Sequence, residues 1–221
     1  MRSRNEQEKA QRREDLLDAA YDVFSERGFE QTSMDHIAKK AGFSRGLLYV
    51  YFDDKQGIYD ALRLRSTKIL YERMKRYTEQ YELGIERARA CGMAFYHFFQ
   101  EDRRAFDCLS HVTSLAGHAS ASIDKRSPEA MEVERNIMQI MTNALALGLD
   151  DGTINPKHCT NLLETALFFR GSLFGLLVLQ SSTGSIMLDL IGHDRDTFII
   201  NSIERLIDPL KANRPSNDLK H

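Results

Sequence analysis

Apolar positions recur at spacings of three and four along almost the whole chain, and no sustained alternation of apolar and polar residues interrupts them, so the pattern predicts an all-α protein. From about residue 6 to residue 27, Leu16, Ala20 and Phe24 form one stripe with Leu17 beside it, and Gly28 follows where a left-handed terminating residue belongs. "TSMDHIAKKAG" predicts a helix of about two turns that Thr32 and Ser33 can cap, with Met34, Ile37, Ala38 and Ala41 on its inner face and Gly42 at its end. Ser44 can cap the next helix almost at once. Two short helices joined by a glycine-containing turn make a helix-turn-helix arrangement. Asp53 or Asp54 then opens a longer fourth helix running from Lys55 into "IYDALRLRSTKILYERMKRY".

Further along, helices are expected at about 85–101, 103–117 and 128–148, the last with Pro128 in its first turn and Gly148 at its end. Asn155 and Pro156 are expected to open a helix reaching about residue 182, which "STGSIMLDLIGHD" separates from a final helix near 196–211. The most apolar segment, "LFFRGSLFGLLVLQSS", is interrupted by Arg170 and falls short of the ~20 residues that span a bilayer, so it is expected to be a buried helix.

The segment "SRGLLYVYF" is unusual for a soluble helix. In a helix beginning after Ser44, Leu48 and Phe52 stack four apart and can pack with Phe24, Ile37 and Ala38. The opposite face carries Arg45, Tyr49 and their neighbours. Both faces therefore need something to touch.

The ordered elements Leu-x-Ala-Ala, Gly-Phe, Thr-Ser, Ile-Ala, Ala-Gly, Ser-x-Gly, Leu-Tyr, Phe and Lys, read without a gap over roughly residues 14 to 62, resemble the N-terminal domain of TetR-type, tetracycline-repressor-like transcriptional regulators. The resemblance implies a DNA-binding domain over residues 1–65 and a helical ligand-binding and dimerisation domain over 66–221. It further implies a homodimeric regulator, most often a repressor, that holds a palindromic double-stranded operator through residues 32 to 55 and releases it when a small molecule binds the second domain. An architectural DNA binder with no ligand is the alternative, the apolar residues of the second domain then serving only as a dimer core.

Physical roles can be assigned within that frame. Arg45 can donate twice to guanine and Leu47 can touch a thymine methyl. Gly46 would let the helix backbone approach the duplex closely, which offsets its poor helix propensity. Tyr49 and Tyr51 offer hydroxyls to phosphate oxygens. Thr32, Ser33, Ser44 and Lys55 stand at helix starts, where backbone N–H groups favour a phosphate. Leu47 and Val50 depart from the family pattern, which commonly has a small or polar residue at the first position and often a ring at the second.

Charge adds one constraint. The formal net charge is −2, and residues 1–65 hold twelve Lys/Arg against twelve Asp/Glu, so DNA binding must come from a local surface and from Arg2, Arg4, Lys9, Arg12 and Arg13 in the N-terminal arm. A hydrophobic content of 42% suffices for a real core. No signal-like apolar stretch follows the charged start, so a cytoplasmic protein without a membrane partner is expected. Cys91, Cys108 and Cys159 lack disulfide or zinc-ribbon spacing.

In the second domain, Gly171 and Gly175 are four apart and leave a groove for a partner helix, and with Leu179 they are the expected dimer interface, built from helices at about 156–182 and 196–211. Ligand-lining candidates are Met93, Phe95, Tyr96, Phe99, Met138, Met141, Phe168 and Phe169, with Arg170 as partner for an anionic group. Cys108, His111 and His118 are a possible metal or redox-sensing set that lacks a regular fourth ligand. No catalytic motif, cofactor or resident metal is expected.

Overall fold

The structure is a computed structural model and describes residues 2–114, 127–181 and 183–212. Its elements are helices α1 (Arg2–Arg27), α2 (Met34–Ala41), α3 (Arg45–Tyr51), α4 (Lys55–Thr78), α5 (Gly84–Glu101), α6 (Arg103–Ser114), α7 (Pro128–Asp150), α8 (Leu162–Gln180), α9 (Thr183–Leu190) and α10 (Arg195–Ile207), then a 3₁₀ turn at Asp208–Leu210. Among the described residues the only β feature is one isolated antiparallel bridge between Ile154 and Lys211.

Two compact units form. The first is Met1–Ser66 with Asp107–Arg126, and the second is Thr67–Phe106 with Ser127–His221. A division by chain order at residue 65 assigns Asp107 and its successors to the second unit, yet Cys108 is buried in the apolar core of the first. The core of this first unit is Leu16, Leu17 and Val23 from α1, Ile37 and Ala38 from α2, Leu48 and Phe52 around α3, and Ile58, Tyr59 and Leu62 from α4.

Local chemistry sets each boundary in this unit. Gly28 and Gly42 end α1 and α2 at φ of +76° and +72°, a region that a side chain strains and glycine does not. Ser33 alone caps α2: its Oγ accepts from the His36 N–H at 3.2 Å while the His36 ring accepts from the Ser33 N–H at 3.3 Å. That is a reciprocal capping box in which histidine stands where glutamate or glutamine usually does. Ser44 Oγ accepts from the Leu47 N–H at 3.2 Å, and Asp54 rather than Asp53 accepts from the Gly57 N–H at 2.7 Å.

In the second unit, α5 and α7 meet with their backbones nearly in contact. A Cβ on Gly84 would fall 2.0 Å from the Gly148 nitrogen, so no larger residue fits there. Gly148 therefore lies inside α7 as a packing residue, and α7 continues to Asp150 instead of ending at this glycine. Beyond it, Asp151 accepts from the Gly84 N–H at 2.7 Å and caps the start of α5. Phe95, Phe98, Phe99, Phe106 and Phe174 form a connected aromatic cluster, with the Phe99 and Phe106 rings 4.9 Å apart edge to face.

Three sequence expectations fail here. Helix α8 starts at Leu162 rather than near Pro156, because Ile154 is committed to the bridge with Lys211, Asn155 accepts from the Lys157 N–H at 3.0 Å in a turn, and Asn161 is the N-cap. The segment read as a separator contains α9. Finally, α8 is not a buried helix within one chain: Leu163, Leu167, Phe168 and Leu179 are all exposed.

Candidate nucleic-acid interface and effector cavity

Helix α3 has seven residues, too few to persist alone in water. It is held by burial. Leu48 is 0% exposed, Phe52 is buried beside it, and the Ser44 cap fixes the first turn. With that face consumed, Arg45, Gly46, Tyr49 and Val50 remain on the surface, and Leu47 and Tyr51 are half-buried. Val50 is the most exposed of the apolar ones at 67%. Tyr51 packs partly against the core.

Arg45 is pre-positioned. Its guanidinium donates to Asp35 at 3.1 Å and to the Tyr49 hydroxyl at 3.4 Å, with the Tyr49 ring 5.5 Å away. The bond to Tyr49, then the Asp35 charge, raises the Arg45 pKa above its ordinary value. Both side chains of the Arg45–Asp35 pair are open to water, so the pair aims the arginine but contributes little stability. Asp35 escapes a reading by motif because its relation to Arg45 spans the turn between two helices. A Cβ at Gly46 would meet nothing closer than Ser44 Oγ at 4.0 Å, so nothing within the protein demands glycine there.

Two of the expected contact residues face inward. Thr32 is buried, and its hydroxyl donates to the Gly28 carbonyl at 2.7 Å, closing the loop after α1. The Lys55 ammonium donates to the carbonyls of Phe29, Glu30 and Thr32 at 2.9, 3.2 and 3.2 Å and lies 4.5 Å from the Phe29 ring. All three of its N–H groups are used, so Lys55 clamps the loop leading into α2 and has none left for a phosphate. Ser33 and Ser44 are occupied as caps, although each hydroxyl retains a proton to donate.

In the second unit, Phe95, Met138, Met141 and Arg170 come together around a cavity of about 40 Å³, joined by Cys91 and Phe169. Phe99 instead packs on Phe106 with Arg103 over its ring. Phe168 points outward and is 69% exposed, whereas its neighbour Phe169 is buried. Arg170 donates to the Met138 sulfur at 3.5 Å, at the edge of the cavity. Burial pushes the Cys91 thiol up to about 12, so it lines the cavity as a small apolar group and not as a thiolate. Gly171 and Gly175 have open space where a Cβ would stand, on the same exposed side as Leu179. Among the described residues no His, Cys, Asp and Glu cluster could hold a metal; the His111 side chain and His118 lie outside them.

The profile described as bacterial regulatory proteins, tetR family, matches residues 16–62. The chain is 33% identical over 96 residues to the HTH-type transcriptional activator FasR of Mycolicibacterium smegmatis, a match spanning 43% of this chain and under half of FasR, 44%. It is 32% identical over 170 residues to the HTH-type transcriptional regulator BetI of Yersinia pestis, covering 74% of this chain and 82% of BetI. The transcriptional regulator FadR from Bacillus subtilis, solved in complex with stearoyl-CoA, has the same fold, with a TM-score of 0.66 at 20% identity over 89% of this chain and 98% of FadR.

The Lys55→Met variant is expected to lose about 2 kcal/mol of stability in urea unfolding, because three loop carbonyls lose a charged donor. An unchanged urea midpoint would show that the clamp contributes nothing.

Proposed function

This chain belongs to the TetR family of bacterial regulatory proteins, and on that premise we propose that it binds a palindromic operator as a homodimer, acts as a repressor, and releases DNA when a small molecule enters the second unit. It is a transcriptional regulator, and the observation that carries the finer reading is the division of α3. Leu48 and Phe52 are spent on the core, while Arg45, Gly46, Leu47, Tyr49 and Val50 are left at or near the surface.

A helix of this kind docks in the major groove, where Arg45 reads guanine and the aliphatic pair Leu47 and Val50 favours thymine methyls. Tyr49, and more weakly the half-buried Tyr51, position the helix on phosphates. To reach a base, Arg45 exchanges Asp35 for the nucleic acid, so Asp35 also opposes binding to non-cognate sites where Arg45 finds no acceptor.

Dimerisation is supported by α8. Its buried residues, Ala166, Phe169, Leu173, Leu177 and Gln180, use one side of the helix, while Leu163, Leu167, Phe168, Gly171, Gly175 and Leu179 leave the other side apolar and uncovered. The open positions at Gly171 and Gly175 admit a second helix closely. An 18-residue window of α8 has a mean hydropathy of 1.7, apolar enough to cross a membrane by composition alone. The isologous dimer is the better reading, because one side of this helix is already packed into its own unit.

The effector is an apolar molecule with an anionic end. Apolar walls from Phe95, Met138, Met141 and Phe169 suit the body and Arg170 suits the end, and the stearoyl-CoA of FadR belongs to that chemical class. At about 40 Å³ the cavity is far below the ~300–1,000 Å³ of ordinary ligand pockets, so binding must expand it. That expansion supplies the differential affinity by which a ligand shifts the population away from the DNA-binding form.

The Arg45→Ala variant is expected to relax preference at particular base pairs by about 1–3 kcal/mol, while Tyr49→Phe weakens binding to all sequences alike, both read by competition gel shift. Equal loss at every base for Arg45→Ala would remove it from base reading. The Phe168→Glu variant is expected to sediment as a monomer with helicity intact, and a dimer would exclude the α8 face. A long-chain fatty acid at about 100 times its dissociation constant is expected to stabilise the protein by about 2.7 kcal/mol. Absence of any thermal shift across chain lengths would favour a regulator without a ligand.

A further inference from the structure

Helix α9 carries an apolar face that its own chain leaves open. Ile186, Met187, Leu190 and Ile191 are between 59 and 76% exposed. At spacings of one, four and five residues they line one side of the helix. Leu188, on the other side, is the buried one among the side chains described on α9. An eight-residue helix is too short to persist on its own in water, so it depends on burying a face.

The segment is nevertheless firmly built. Gly192 ends it at φ of +67°, and the His193 N–H returns to the Leu188 carbonyl at 2.9 Å. Arg195, at the start of α10, donates to both carboxylate oxygens of Asp189, through Nε at 2.9 Å and through Nη2. A surface held this way is ordered before anything binds it, which lowers the entropic cost of association.

Charge and area define the occupant. From Thr183 to Thr197 the chain has one arginine against Asp189, Asp194 and Asp196, which disfavours nucleic acid and anionic lipid. An apolar protein surface remains, and the uncovered side of α8 on a second copy is one. At roughly 100 Å² each, Leu163, Leu167, Phe168 and Leu179 offer about 400 Å², half of the ~800 Å² per partner that a stable interface takes. The four residues on α9 supply about as much again. We propose that the α9 face closes against a second copy of this chain, continuing the α8 interface past Leu179 and completing the area a stable dimer needs. The assignment rests on the dimer of the proposed function.

Sedimentation of the full chain, with Phe168→Glu alongside, separates the two. The Leu190→Glu/Ile191→Glu variant is expected to raise the dimer dissociation constant about a hundredfold with its helicity unchanged. A native-like constant would overturn the α9 assignment, and a monomeric Phe168→Glu would then leave the α8 dimer standing. The converse, a dimeric Phe168→Glu with a dissociated double variant, would keep α9 and remove α8. A monomeric native chain would overturn both. Should the double variant not fold, Ile191→Cys gives a second reading, because Cys91, Cys108 and Cys159 are buried and maleimide then reports the introduced thiol. Its labelling is expected to quicken at least about tenfold on dilution through the dissociation constant. A rate independent of dilution would overturn the proposal, as would co-sedimentation of the native chain with phosphatidylcholine vesicles that the double variant loses.

Discussion

A seven-residue helix cannot sustain itself, and the organisation of the DNA-facing unit follows from that constraint. Helix α3 exists because Leu48 and Phe52 are buried against α1, α2 and α4 and because Ser44 satisfies its first turn. The same burial decides what is displayed. Once two of the apolar residues are committed inward, helical geometry presents Arg45, Tyr49 and Val50 to the outside. A hydrophobic requirement of the fold thereby orients the surface to which the proposed function assigns base reading. Lys55 supports it indirectly, by tying the loop after α1 to the start of α4 and so fixing where α2 begins.

The second unit presents the opposite problem, too much apolar surface for one chain to cover. Helix α8 is apolar nearly all round, and its own unit uses only one side. The packing elsewhere in this unit is close, with the α5 and α7 backbones meeting at Gly84 and Gly148 and a connected cluster of phenylalanines. Close packing of this kind transmits displacement instead of absorbing it. On the proposed function, an effector that enlarges the cavity beside Phe95 and Met141 would displace this packing, and α4, which contributes residues to both units, joins them covalently.

Features set by neighbouring residues were legible in the sequence: the Ser44 cap, the glycines ending α1 and α2, the inward Leu48 and Phe52, and the aromatic run with two demands on it. What escaped depended on distant partners. Lys55 reads as a free cation at a helix start until its acceptors, more than twenty residues earlier in the chain, are seen. Phe168 and Phe169 cannot be told apart in a segment apolar all round, because no polar face sets the helical phase. Helix α8 begins late because Ile154 pairs with Lys211, 57 residues further along the chain. The core around Tyr59 takes in Cys108 of α6, which no reading along the chain foresees.

The central claim is that a two-fold pair of α3 helices reads specific bases. It is tested most directly by selecting random and genomic DNA fragments with the purified protein and sequencing what is retained. An inverted repeat with half-sites about one helical turn apart, or a multiple of it, is the predicted result. Retention of DNA without any enriched sequence, by a folded dimer, would contradict it.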